Sequence, residues 1–414
     1  MYRRLFYIFL FAIGWAIPGL MLPRAVRAAE KQGIYLRPLT FHPLVKIKYG
    51  YDTNVFRRSS EVLPGYSTPL TQVASGYIDV IPEVGLESEI GNLNLISNVR
   101  IHLTYYQDPE ASRQSSTSSP EFNGDHLARW KSTGGGLNLD LEEKWKLTSD
   151  PIVQDVPQPL GGERVKRFYN QLAGNLAYTS LSGFFIGKLR YDWETNQYRH
   201  KLLEEMNYDI QSVTLRGENR FLPKTGVSLS LRYRNTHWKS PDYGRDRNYD
   251  SLNLSAFFNG QITEKLGSIL SLGYEEVFFR NGGFSGKPVG MLEMVFKPTA
   301  ASNLNLRYQR STNPSLTSGT FINNIFAITA ELQSLGLQGP EVSLGFDLSL
   351  DQYQKLEART VKLYHSHAGF LYQFGGALEW LKLGLEYDME LSRCNKPGYT
   401  YDAHRITFWG SISF

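Results

Sequence analysis

From residue 44 onward one unit recurs along the chain: a run of alternating apolar and polar residues, closed by a turn or a polar loop. Leu381, Leu383, Leu385, Tyr387, Met389 and Leu391 alternate with Lys382, Gly384, Glu386, Asp388 and Glu390. Val342, Leu344, Phe346, Leu348 and Leu350 alternate in the same way with Ser343, Gly345, Asp347 and Ser349. So do Val227, Leu229, Leu231 and Tyr233 with Ser228, Ser230, Arg232 and Arg234. Strand side chains point to opposite faces with period two, so each such strand meets an apolar medium on one side and a polar one on the other.

The connections alternate as well. Ile90-Gly91-Asn92, Glu142-Glu143-Lys144, Leu181-Ser182-Gly183, Pro223-Lys224-Thr225 and Phe374-Gly375-Gly376 read as short turns. Residues 55–75, 107–125, 155–164, 195–205, 238–247 and 393–401 read as longer polar loops, and the stretches 111–120 (Ser-rich) and 151–159 (Pro-rich) as external ones. Asp108-Pro109 and Asp150-Pro151 are turn initiators at strand ends. Short turns at one end and long loops at the other are expected of transmembrane barrels. Residues 126–154 hold two strands once split at Glu142-Glu143-Lys144, the first ending Leu137, Leu139, Leu141 and the second opening Trp145, Leu147. The total is then about 18 strands (roughly 16–18), an even number that leaves both termini periplasmic. The predicted fold is all-β: a transmembrane antiparallel up-and-down β-barrel, with no plug and no periplasmic domain.

The N-terminus agrees with export. Arg3 and Arg4 precede an apolar run from Leu5 to Leu22, and Val26-Arg27-Ala28 offers a cleavage site, so residues 1–28 read as a signal peptide. Residues 29–43 then form a short periplasmic segment and 44–414 the barrel. Four of the 44 Lys+Arg and none of the 40 Asp+Glu lie in residues 1–28, so the formal +4 belongs to the signal. A balanced mature chain lacks the basic face that nucleic-acid binding needs. Beyond residue 28 there is no apolar stretch of about 18 residues, and hence no transmembrane helix.

Tyr49 and Tyr51, Tyr105 and Tyr106, Tyr191 and Trp193, and Tyr372 and Phe374 sit near the ends of apolar faces, as aromatic girdles do. The chain ends on a strand whose Ile406, Phe408, Ile412 and Phe414 share a face. Phe408, Ile412 and Phe414 resemble the C-terminal signal read by the barrel assembly machinery. That machinery, outer-membrane lipids and lipopolysaccharide are the expected partners.

Alternation assigns Lys46, Lys48, Arg100, Lys188, Arg190, Asp192, Arg232, Arg234, Arg307, Asp347, Lys382, Glu386, Asp388 and Arg405 to the lumen. Both signs occur, which predicts a hydrated, hydrogen-bonding passage rather than a ring of one charge. A charged residue should be tolerated at Gly384, on the polar face, far better than at Leu383. Catalysis finds little support. In His365-Ser366-His367 the serine faces away from both histidines; these share a face, but no third ligand pattern accompanies them. Asp242, Asp246 and His237 lack a recognisable spacing, and no cofactor or metal site is expected. The single cysteine, Cys394, excludes an internal disulfide.

Gly50-Tyr51-Asp52-Thr53-Asn54-Val55-Phe56 resembles the segment that opens the barrels of the type-2 β-barrel porin family. The resemblance implies that Tyr51 joins the girdle, that Asp52 and Asn54 shape the first external turn, and that Phe56 belongs to the same motif. It implies a conduit for an exopolysaccharide or capsule polymer, fed by a separate periplasmic polysaccharide export protein. A general diffusion porin for small hydrophilic solutes, or a surface structural or adhesin barrel, are the alternatives. Residues 107–125 are long enough to constrict such a porin.

Overall fold

The computed structural model describes residues 34–36, 38–58, 71–111, 120–134, 136–148, 166–199, 204, 207–222, 224–239, 248–280, 282–315, 319–333, 339–353, 358–396 and 399–413. The expected signal peptide, the Pro-rich stretch, most of the Ser-rich one, Asp150, Asp242, Asp246 and Phe414 lie outside these residues.

The strands are β1 Ile34–Leu36, β2 Leu39–Asp52, β3 Ser75–Ile90, β4 Leu93–Tyr106, β5 Glu121–Lys131, β6 Leu137–Thr148, β7 Arg167–Thr179, β8 Phe185–Tyr198 and β9 Tyr208–Leu222. They continue with β10 Thr225–Trp238, β11 Tyr249–Gln261, β12 Leu266–Phe279, β13 Phe284–Phe296, β14 Ser302–Ser315, β15 Gly319–Leu332, β16 Gly339–Tyr353, β17 Arg359–Gln373, β18 Leu381–Cys394 and β19 Tyr401–Ser413. From β2 to β19 each strand pairs antiparallel with the next, and β19 closes on β2 from Leu44↔Ser413 to Asp52↔Arg405. Eighteen strands therefore make a closed barrel, as the alternation predicts. Closure removes the free edges that a membrane would leave without hydrogen-bond partners.

The short β1 pairs with the start of β2. β2 itself begins at Leu39, upstream of the expected Leu44. Leu39, Phe41 and Pro43 keep the outward parity of Val45 and Ile47, and Pro43 precedes the pairing with β19, so its missing N–H interrupts no ladder there.

One turn differs from expectation. Glu142, Glu143 and Lys144 lie inside β6, paired with Leu127, His126 and Asp125. The chain reverses instead at 132–136, where Ser132-Thr133-Gly134-Gly135-Gly136 breaks the pattern and the Ser132 N–H donates to the Leu137 carbonyl at 2.9 Å. Charge alone did not mark a turn, because Glu142 and Lys144 keep the polar-face parity while three glycines cannot hold a strand.

Connections at the end bearing the termini run from two residues (91–92) to seven (374–380), while the other end includes 53–74 and 149–166. On the outer face, strand-centre side chains such as Leu229 (61% exposed), Leu254 (58%) and Leu272 (65%) stand open. So continuous an apolar surface fits a lipid surround. Tyr49, Tyr51, Tyr105, Tyr191 and Tyr372 are exposed on that face. Tyr106 is a correction: next to Tyr105 on a strand, it must point the other way, and it is buried on the lumen side.

Candidate functional site: the lumen and its mouth

Residues directly opposite each other in a ladder share a face. Lys46 and Lys48 oppose Ser411 and Trp409; Lys382, Glu386 and Asp388 oppose Ser411, Thr407 and Arg405. Following such pairs round the barrel brings Arg100, Lys188, Arg190, Asp192, Arg232, Arg234, Arg307 and Asp347 to the same inner face. The expected lumen residues thus line one surface.

The structure separates their charges in a way that alternation could not. Lys188, Arg190, Arg216 and Arg232 point into one lumenal cavity of about 600 Å³, with Asp192 and Glu275 as its carboxylates: four cations against two anions. Arg190 holds Asp192 at 2.7 Å, and Arg232 stands 3.7 Å from Glu275, which is almost wholly buried. Eight strands on, nearly half way round the barrel, β16–β18 carry Asp347, Glu386, Asp388 and Glu390. His367 Nδ1 lies 2.7 Å from Asp388, and His365 Nδ1 lies 3.2 Å from Asp347. Ser366 faces outward, opposite Phe346. Among the described residues no group of three or more His, Cys, Asp or Glu is arranged to hold a metal ion.

Trp409 crosses the inner wall between these features. Its indole N–H donates to Glu386 at 2.6 Å, and Lys46 Nζ sits 3.6 Å from the ring centroid. The ring lies over Gly384, where a Cβ would collide with it. Gly384 is therefore a close-packing position rather than an open lumenal one, contrary to the expected tolerance.

The first-strand motif builds the mouth. Gly50 leaves room for the Tyr77 ring, whose hydroxyl is 2.7 Å from Thr407 Oγ1. Tyr51 stands outside in the girdle, whereas Asp52, Asn54 and Phe56 are buried. Asp52 accepts from Arg57 NH1 (3.0 Å to each oxygen), from Arg405 Nε (3.1 Å) and NH2 (2.9 Å), and from the Asn54 amide (2.9 Å). Asn54 donates to the Arg58 and Asp402 carbonyls, and Thr53 exchanges hydrogen bonds with His404. Arg57 takes a left-handed φ of 55°, a strained choice that its hold on Asp52 sustains. Val55 and Phe56 pack with Val73, Tyr77, Tyr106 and Ala111, all buried. Asp108 caps the turn at 109–111 by accepting from the Glu110 and Ala111 amides. The motif clamps β2 to β19 and folds the first loop against the inner wall.

A second narrowing was not legible from the sequence. β13 and β14 pair from Phe296↔Leu304 up to Gly290↔Arg310 and no further, although both strands continue. Pro288 and Pro314 lie on the two facing edges, where proline withholds a ladder donor. Arg310 bridges the parting, donating to the Pro288 carbonyl and to Asn324, each at 3.0 Å. Beyond it the tip of β14–β15 is buried on both faces, with Thr312, Ser315, Thr320, Phe321, Ile322 and Asn323 all below 8% exposure. A wall hairpin would leave one face open, as Phe326 and Ile328 do lower on β15. The tip has turned inward: Asn313 lines a cavity of about 390 Å³ together with Asp192, Glu194, Arg232 and Arg234 from strands far round the barrel.

No protein-family model and no curated protein matches the chain. Among solved structures it is similar to OpdK of Pseudomonas aeruginosa, solved with vanillate, at 11% identity and a TM-score of 0.50, covering 92% of this chain and 100% of that one. It is also similar to a BenF-like porin from Pseudomonas fluorescens Pf-5 (11% identity, TM-score 0.49, 90% and 99% covered) and to OpdQ of Pseudomonas aeruginosa (10%, 0.49, 92% and 98%). At such identities the likeness speaks for the architecture alone: the chain has the closed eighteen-strand barrel fold of outer-membrane porins.

Proposed function

We propose that this protein is an outer-membrane porin that passes small hydrophilic solutes, favouring anionic or dipolar ones, with both termini on the periplasmic side. The observation that carries this reading is the lumenal cavity with four cationic and two anionic side chains, faced across the barrel by Asp347, Glu386, Asp388 and Glu390. Opposed rows of charge orient a dipole and draw an anion toward the basic wall. A barrel of eighteen strands encloses a water-filled passage, and the inward β14–β15 tip narrows it toward small solutes.

The polymer-conduit reading rested on the first-strand motif and on an empty, mixed-charge lumen; the inward β14–β15 tip narrows that lumen. That motif works here as a seam clamp, so the small-solute alternative takes precedence. The similar channel solved with vanillate, a small carboxylate, is in keeping with it. The test is single-channel recording of purified protein in planar bilayers under a salt gradient. A steady current without partners, with a reversal potential on the anion side and block by millimolar small carboxylates, is expected. Absence of conductance, or cation selectivity, would overturn the reading. Deletion of the gene should leave surface polysaccharide unchanged; its loss would restore the polymer conduit.

A further inference from the structure

The wall of the barrel parts at one seam. β13 keeps its ladder with β12 from Leu266↔Phe296 to Phe278↔Phe284, and β14 keeps its own with β15 from Ser302↔Leu332 to Ser315↔Gly319. The two strands nevertheless join each other only from Phe296↔Leu304 to Gly290↔Arg310. Among the described residues this is the one seam where both strands run several residues past their last pair. Continued in register, the ladder would set Pro288 against Thr312 and Pro314 against Gly286, and each proline would withhold an N–H. The sequence thus keeps the seam from closing toward the end away from the termini, which is external in the orientation proposed above.

Backbone outside a ladder is tolerated at membrane depth where it lines a water-filled space. The cavity of about 600 Å³ supplies that space: it reaches from the basic wall of Arg190 and Arg232 to Val289 and Gly290 on one lip and Arg310 and Ser311 on the other. Gly290 and Arg310 share the outward parity of Leu292 and Tyr308, so a single cavity touches both the lumenal and the lipid-facing side of the wall. The outer lip is low. Where the ladder holds, β13 turns Leu292, Met294 and Phe296 outward; where it parts, Gly286, Pro288 and Gly290 take those positions. Tyr274, Phe278 and Phe284 stand exposed beside them as an apolar approach. Arg310, bound to the Pro288 carbonyl and to Asn324, forms the sill. We propose that the β13–β14 parting is a lateral portal between the lumen and the outer leaflet. Its ligand is a single-chain amphipathic anion, with the head held by the lumenal cations and the tail lying through the slot into lipid. The portal shares the basic wall with the axial passage but does not depend on axial flow.

The experiment uses full-length protein in lipid vesicles, in a Cys394→Ser background. Val289→Cys, on the lumenal side of one lip, should react with hexadecyl maleimide dissolved in the bilayer about tenfold faster than Ala327→Cys. Ala327 faces the lumen from β15 where the wall is paired on both sides. A sulfonated, membrane-impermeant maleimide should reach both positions. Ser311→Cys, on the opposite lip, replaces Val289→Cys should that variant not fold. Palmitate with a diazirine on its terminal carbon should photolabel the wall around Phe278 and Phe284, in competition with excess palmitate but not with acetate. Arg190→Gln with Arg232→Gln should remove at least half of that label. Equal hexadecyl maleimide rates at the lip and at Ala327→Cys, no reaction at either lip, or palmitate label spread round the outer wall would overturn the portal. So would label that excess palmitate or the arginine variants leave untouched. A conducting barrel whose lips do not react sinks the portal alone, and a labelled barrel without current sinks the axial passage alone.

Discussion

Removing the carboxylate of Asp52 is the most direct test of how the barrel is closed. Asp52→Ala deletes its contacts with Arg57, Arg405 and the Asn54 amide at a site that is 2% exposed. Two guanidiniums then lose the anion they share, Arg57 keeping only Glu390 at 3.7 Å. Breaking a buried pair by removing one partner costs about 3–5 kcal/mol. The Arg405 side chain is 40% exposed, however, so its share falls toward the surface value of about 0.2–1 kcal/mol. Most of the loss therefore comes from Arg57, 11% exposed, and from the freed Asn54 amide, and a total of about 3 kcal/mol is expected. The assay is urea unfolding of the purified barrel in lipid vesicles, followed by tryptophan fluorescence, for Asp52→Ala, Arg405→Ala and the double variant. Since the two side chains touch, the double variant should lose about 1–2 kcal/mol less than the sum of the singles. A loss for Asp52→Ala below about 1 kcal/mol, or strict additivity, would refute the clamp.

Leu254→Arg, at a strand centre on the outer face, should destabilise by about 2–4 kcal/mol, and Leu383→Arg, two residues from the start of β18, by clearly less; equal losses in the same unfolding assay would mean that depth is misassigned. Gly384→Asp should cost about 1–3 kcal/mol by displacing the Trp409 indole, visible as a shifted tryptophan emission, although it lies on the polar face. Arg310→Ala, which frees the parting of β13 and β14, should raise single-channel conductance and its noise; an unchanged current would argue against the tip as the narrowing. Deletion of Phe414 should lower barrel insertion, measured by heat-modifiable mobility; unchanged insertion would argue against the terminal strand as an assembly signal.

Much of the wall was readable because barrel faces are local. Period two needs only neighbours in sequence, so Lys382, Glu386 and Asp388 fall opposite Leu383, Leu385 and Tyr387 whatever the rest of the chain does. The same locality explains the misplaced turn. Counting required a break somewhere in 126–154, and only ladder pairing shows Glu142 to Lys144 continuing a strand while 132–136 reverses it. Tyr106 shows the limit from the other side: an aromatic at a strand end looks like girdle until parity is applied.

By itself, then, the sequence determined the alternation and the polar-face parity of the charged residues, since both follow from spacing along a single strand. Tertiary structure alone decided what those residues meet. Asp52 and Arg405 are joined only because β19 closes on β2. The inward β14–β15 tip appears only where the ladder to β13 stops. The cations of β8–β10 face the acids of β16–β18 only because eighteen strands wrap into a ring. His126, Glu143 and Asn170 meet on the outer face only because β5, β6 and β7 stand side by side in register. The physical reason is common to all four: the direction of a side chain is set by its own backbone, but its partner is set by which strand lies beside or across from it.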